Sequence, residues 1–206
     1  MRDFKLYVIL DTDICPTSDK LIEIAGLAAL GGADILQLRA KRLSDEQVLE
    51  LARKIKSRLK KSPARFILND RPDLAALLGA DGVHLGQDDP RVSEARRIMG
   101  ENKIIGLSTH SVEQAQQAQD QAPDYLSIGP IFATATKPDL KPLTPAIISQ
   151  LKNKLRVPFL AIGGITLDNL DEVLKQGGER VAVCRAILQA KDTRKITEEF
   201  KRRLRF

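Results

Sequence analysis

Seven short polar clusters in this 206-residue chain carry groups capable of chemistry, and each lies at the end of an apolar run or just beyond it. They are Gln37-Leu38-Arg39-Ala40-Lys41, Asn69-Asp70, His84 to Asp89, Ser108-Thr109-His110, Thr134-Ala135-Thr136-Lys137 (reached through Gly129-Pro130), Gly163-Gly164 and Cys184-Arg185. Arg39, Lys41 and Lys137 are cationic; Asp70, Asp88 and Asp89 are anionic. Facing one another, such groups form plain salt bridges. Alternatively, two aspartates hold a hard divalent ion against a diphosphate while Arg and Lys neutralise the remaining charge. Ile162-Gly163-Gly164-Ile165 has the same double reading: a tight turn, or bare backbone N–H groups at a helix start offered to an anion.

The elements that must position these clusters follow from periodicity. Apolar runs at Leu6–Leu10, Ile35–Leu38, Phe66–Leu68, Gly82–Leu85, Ile104–Leu107, Tyr125–Ile128, Phe159–Ile162 and Val181–Cys184 alternate with segments of helical period. The spacing leaves about 26 residues per unit, enough for a strand and a helix. Ser44-Asp45-Glu46-Gln47 has the form of a capping box, and Val48, Leu51, Ala52 and Ile55 recur at i, i+3, i+4 and i+7. Ser111 starts another helix, and Thr166 or Asp168 caps the one before Val173. Continuous apolar strands indicate a parallel sheet covered on both faces. Eight units predict an α/β fold, a single (β/α)8 TIM barrel over 1–206, with an open doubly wound sheet as the alternative. In such a barrel the chemistry sits at the C-terminal strand ends, where all seven clusters fall. The one long irregular stretch, Ala133 to Pro145, holds three of the ten prolines.

Composition narrows the chemistry. With 43% hydrophobic residues the chain is globular rather than disordered, and no apolar stretch is long enough to span a membrane. The start of the chain shows no secretory h-region, so the expected location is the cytoplasm. Cys15 and Cys184 have no CxxC partner and His84 and His110 are the only histidines, so any metal must be oxygen-bound, usually magnesium. The net charge of +6 lies largely in two helical stretches without interleaved aromatics for base stacking. The expected partners are therefore small phosphorylated molecules, not nucleic acid or membrane; a homo-oligomer is allowed. His84 reads as a barrel-lining histidine, Cys15 as an exposed bystander, and Asp11 and Asp13 as a turn or cap.

The clusters, in order and spanning nearly the whole chain, resemble the thiamine-phosphate synthase family. The most specific pieces are Phe66-Ile67-Leu68-Asn69-Asp70 and Gly82-Val83-His84-Leu85-Gly86-Gln87-Asp88-Asp89. The resemblance implies a transferase that joins 4-amino-2-methyl-5-hydroxymethylpyrimidine diphosphate to thiazole phosphate, releasing pyrophosphate. Carried over by position, Asp70 and Asp89 are the Mg2+ ligands. Gln37, Arg39, Lys41, Asn69, Ser108 and Lys137 hold the pyrimidine and its diphosphate. Among these, the resemblance makes Arg39, Lys41, Ser108 and Lys137 the catalytic set. Thr134, Thr136, Gly164, Cys184 and Arg185 hold the thiazole phosphate. The chain departs from the family at Arg185, where many relatives carry serine, and at Ala40, where glutamate is common. Two other readings stand beside this one: a metal-free thiazole tautomerase of the same family, and a non-catalytic phosphate-binding or RNA-binding barrel.

Overall fold

The computed structural model describes residues 4–136 and 140–204. Eight parallel strands, β1 (Leu6–Asp11), β2 (Ile35–Arg39), β3 (Arg65–Asn69), β4 (Gly82–Leu85), β5 (Ile104–Thr109), β6 (Tyr125–Ile128), β7 (Phe159–Ile162) and β8 (Val181–Val183), close in sequence order into a barrel. β8 completes the ring against β1, with Leu6 opposite Val181. Helices α1 (Ser18–Leu30), α2 (Asp45–Leu59), α3 (Pro72–Leu77), α4 (Val92–Met99) and α5 (Val112–Ala118) follow the first five strands. They continue as α6 (Ala146–Lys152), α7 (Leu170–Lys175), α8 (Arg185–Leu188) and α9 (Thr193–Arg203). The chain is a single (β/α)8 barrel.

The helix signals in the sequence have visible counterparts. Ser44 Oγ accepts from Gln47 N–H at 3.3 Å while Gln47 Oε1 accepts from Ser44 N–H at 3.0 Å, closing the reciprocal cap of α2. Val48, Leu51, Ala52 and Ile55 form the buried stripe of that helix. Ser111 caps α5 through Gln114 N–H. The cap of α7 differs from expectation. Neither Thr166 nor Asp168 occupies it, and Asn169 stands at the N-cap position with its carboxamide turned back toward the preceding loop. It accepts from Thr166 N–H and donates to Gly164 O, both at 2.9 Å.

Alternation along each strand divides the interior in two. Leu6, Val8, Leu10, Leu36, Leu38, Val83 and Ile105 point out into the layer beneath the helices. Tyr7, Ile9, Ile35, Ile67, Ile104, Tyr125, Leu160 and Ala182 point inward and plug the lower lumen. Four strands run past their apolar runs, β1 to Asp11, β2 to Arg39, β3 to Asn69 and β5 to Thr109. Backbone pairing does not stop at the first polar side chain, so the same inward parity continues into Asp11, Gln37, Arg39, Asn69, His84, Ser108 and Ser127. At the C-terminal end the lumen therefore turns from apolar to polar. β8 is one residue shorter than the apolar run, because Cys184 leaves the sheet to begin α8.

Candidate active site

The polar end of the lumen opens into a cavity of about 320 Å³. Gln37, Arg39, Asn69, Ser108, Thr134, Thr136, Gly164, Cys184 and Arg185 all line it, each singled out from the sequence. Lys41, Asp70 and Asp89 are not among its lining residues; they group together beside Asn69, which is. Lys137 lies outside the described residues.

Asp70 sits at a sharp exit from β3. Its φ of 66° is left-handed, a conformation few residues other than glycine accept but Asp tolerates, and its N–H is anchored on His84 O at 2.9 Å. The turn brings the carboxylate to 3.1 Å from Lys41 Nζ and beside the Asp89 carboxyl. Asp89 is held from its own side by Gly86 N–H, which donates to Oδ2 at 2.6 Å. Burial raises the Asp89 pKa above the usual carboxylate value, and the Asp70 contact and charge push the same way. Two carboxyl groups in this position need a proton or a cation between them. That is the condition a divalent ion meets, so the residues present fit magnesium. Among the described residues, no group of three or more His, Cys, Asp or Glu could hold a metal ion, so the rest of an oxygen shell would come from water and phosphate.

Arg39 is governed by a residue read from sequence as a turn. Asp11, wholly buried at the end of β1, accepts from Arg39 Nη1 at 2.9 Å and from Asp13 N–H at 2.9 Å; Asp13 Oδ2 lies 3.5 Å from the same guanidinium nitrogen. The plain salt-bridge reading thus holds for part of the cationic set: Asp11 fixes the guanidinium and offsets its charge. Asp11 keeps the inward parity of Tyr7 and Ile9 because β1 runs on to it, opposite Arg39.

Deeper in the lumen His84 makes hydrogen bonds with Tyr125 Oη at 2.8 Å through Nδ1 and with Ser108 Oγ at 2.9 Å through Nε2. Gly106 makes room for this pair, since a β-carbon there would collide with the Tyr125 ring and His84 Nδ1. His110 points its Nδ1 at Gly129 O, 2.6 Å away. A carbonyl only accepts, so Nδ1 bears the proton and a neutral ring keeps Nε2 bare.

The opposite wall is built from backbone. Gly163 and Gly164 have φ of 97° and 65°, and β-carbons on them would strike Pro130 and the Ala133 carbonyl. Both glycines are required by conformation and by space. Beside them Arg185 starts α8 with Nε buried and without a hydrogen-bond partner among the described residues. Cys184 is inert: burial first, then the charge of Asp11, pushes its thiol up to about 12. Cys15 corrects an expectation, being buried rather than exposed. The loop after β1 folds back so that Ile14 and Cys15 N–H both reach Asp11 O, and the thiol faces Thr17 O.

A family model described as thiamine monophosphate synthase matches residues 6–187. A thiamine-phosphate synthase of Halalkalibacterium halodurans is 44% identical over 97% of this chain and 95% of its own length. One of Shouchella clausii is 42% identical over 94% and 93%. The solved structure of a thiamine phosphate pyrophosphorylase from Pyrococcus furiosus superimposes with a TM-score of 0.88 at 34% identity, covering 98% of this chain and 95% of the other.

Proposed function

This chain belongs to the thiamine monophosphate synthase family and is a transferase, and from that premise we propose how its residues carry out the reaction. The substrates are the pyrimidine diphosphate and thiazole phosphate, and the products are thiamine phosphate and pyrophosphate. The observation that carries the reading is the 3.1 Å pairing of Asp70 with Lys41, beside the Asp89 carboxyl and next in sequence to Asn69, which lines the cavity.

Asp70 and Asp89 would hold Mg2+, which when bound supplies positive charge to the diphosphate. Lys41 and Arg39 bring further charge to the oxygens that become more negative as the C–O bond to the pyrimidine methylene breaks. Preorganised charge of this kind contributes about 3–4 kcal/mol per well-placed donor. Asn69 and Gln37 orient the pyrimidine from the wall of β2 and β3. Ser108 donates to it from β5. The aminopyrimidine ring stabilises the resulting cation, and the thiazole nitrogen captures it. Thr134, Thr136, the backbone of Gly164 and the unpaired Nε of Arg185 grip the thiazole phosphate, holding that nitrogen in line in a site the barrel walls keep dry. No acid–base relay is needed, in keeping with inert cysteines and a His110 whose Nδ1 is committed to a backbone carbonyl.

The test is thiamine-phosphate formation from the two substrates. Product should form with magnesium, stop with EDTA and return on adding magnesium back. Turnover unaffected by EDTA removes the metal from the mechanism, and an absence of product with magnesium present removes the reaction itself.

A further inference from the structure

Behind Ser108 the lumen contains a side-chain network to which the proposed reaction gives no work. Tyr7 Oη lies 3.0 Å from Tyr125 Oη, Tyr125 Oη 2.8 Å from His84 Nδ1, and His84 Nε2 2.9 Å from Ser108 Oγ. Ser127 Oγ donates to Ser108 Oγ at 3.5 Å. A serine bonded to a histidine in this way could be an activated nucleophile or a fixed donor. Which one depends on where the proton on His84 sits.

The deep end of the chain decides. Tyr7 is buried, and among the described residues its hydroxyl has Tyr125 as its only hydrogen-bond partner. If Tyr125 donated to Tyr7, the Tyr7 proton would be left with no acceptor, a loss of about 1–3 kcal/mol for a buried donor. If Tyr7 donates, only acceptor lone pairs go unused, which is the lesser penalty. Tyr7 therefore donates to Tyr125 and Tyr125 donates to His84 Nδ1. The neutral ring then bears its proton on Nε2 and donates to Ser108. His84 Nε2 fills one lone pair of Ser108 Oγ, and Ser127 Oγ, 3.5 Å from it and 3.4 Å from His84 Nε2, stands on the same inner side, so the Ser108 proton is left for the cavity that Ser108 lines.

We infer that Tyr7, Tyr125 and His84 form a positioning relay that fixes Ser108 as a hydrogen-bond donor to an acceptor atom of the bound substrate. The same arrangement denies Ser108 a base. Nε2 is already protonated, so Ser108 is not a nucleophile. The relay's direction stands on the lumen geometry alone; its catalytic consequence rests on the function proposed above.

The chain has only two histidines, so nitrogen-15 NMR of the substrate-free protein resolves both rings, with a His110→Gln variant to assign them. His84 should show a protonated Nε2 and a bare, hydrogen-bonded Nδ1, the opposite of His110. In Tyr125→Phe the Nδ1 resonance should move toward that of a free pyridine-type nitrogen. A proton on Nδ1 in the wild type, or an Nδ1 unmoved by Tyr125→Phe, overturns the relay. In kinetics, Tyr125→Phe should lower kcat about tenfold, the size of one lost hydrogen bond, with little change in KM. In a Ser108→Ala background it should lower kcat no further, whereas an additive loss overturns coupling through Ser108. A wild type that shows the expected tautomer but makes no thiamine phosphate sinks the proposed reaction and leaves the relay standing.

Discussion

The two sides of the cavity mouth are built on different physical terms. On the β2–β4 side the cations are already paired, Arg39 with Asp11 and Lys41 with Asp70, while Asp70 and Asp89 crowd one another. On the β7–β8 side the wall is glycine backbone, and Arg185 has a buried nitrogen with no hydrogen-bond partner among the described residues. A wall of mutually paired charges is held in place before any ligand arrives, which suits stabilisation of charge that grows during the reaction. A wall of glycine backbone with an unpartnered Arg185 Nε suits a phosphate whose charge stays constant. The first side should therefore govern kcat and the second KM.

Removing a member of the carboxylate pair is the strongest way to break that contrast. Asp89→Ala or Asp70→Ala should lower kcat roughly a thousandfold, the upper range for loss of one preorganised electrostatic group, without unfolding the barrel. Steady-state kinetics beside a circular-dichroism melt read both quantities. Near wild-type kcat in either variant would mean that the charged side does not drive the chemistry.

A second prediction sharpens the claim that the pair needs a proton or a cation. Burial and Asp70 raise the Asp89 pKa in the folded chain. A group with a raised folded pKa contributes stability that is whole below its unfolded pKa and is lost as pH rises through the folded value. In EDTA, the Tm of Asp89→Asn minus that of wild type should therefore climb through this acidic window and stay positive at neutral pH. Magnesium should raise the wild-type Tm and leave that of the variant nearly unmoved. A difference flat with pH would show that the two carboxylates do not burden each other.

The same contrast explains what could be read without coordinates. The barrel was legible because eight apolar runs at even spacing admit few arrangements, and the polar clusters because each begins where such a run ends. Asp11 was harder to see, since a polar residue after an apolar run looks the same whether it turns out to solvent or continues the strand inward. Only the pairing of β1 with β2, Asp11 opposite Arg39, separates the two. The relay of Tyr7, Tyr125, His84 and Ser108 joins four strands, and no local pattern ties together residues as far apart as 7 and 125. Asn169 was missed for a different reason. Its side chain braces the glycine turn behind it instead of capping α7, and sequence cannot tell which way a carboxamide faces.

Arg185 offers the finest division between the two sides. Its buried Nε has no hydrogen-bond partner among the described residues, so bound phosphate would satisfy a group that is otherwise desolvated. A charge-assisted bond of this type contributes about 1.5–3 kcal/mol. Shortening the side chain in Arg185→Ser leaves a hydroxyl able to donate once, without charge. The thiazole-phosphate KM should rise about tenfold, a part of that energy, while kcat and the pyrimidine KM stay within twofold. If kcat falls instead and the thiazole KM holds, Arg185 acts on charge that develops in the reaction. The backbone wall would then share the task assigned here to the carboxylate side alone.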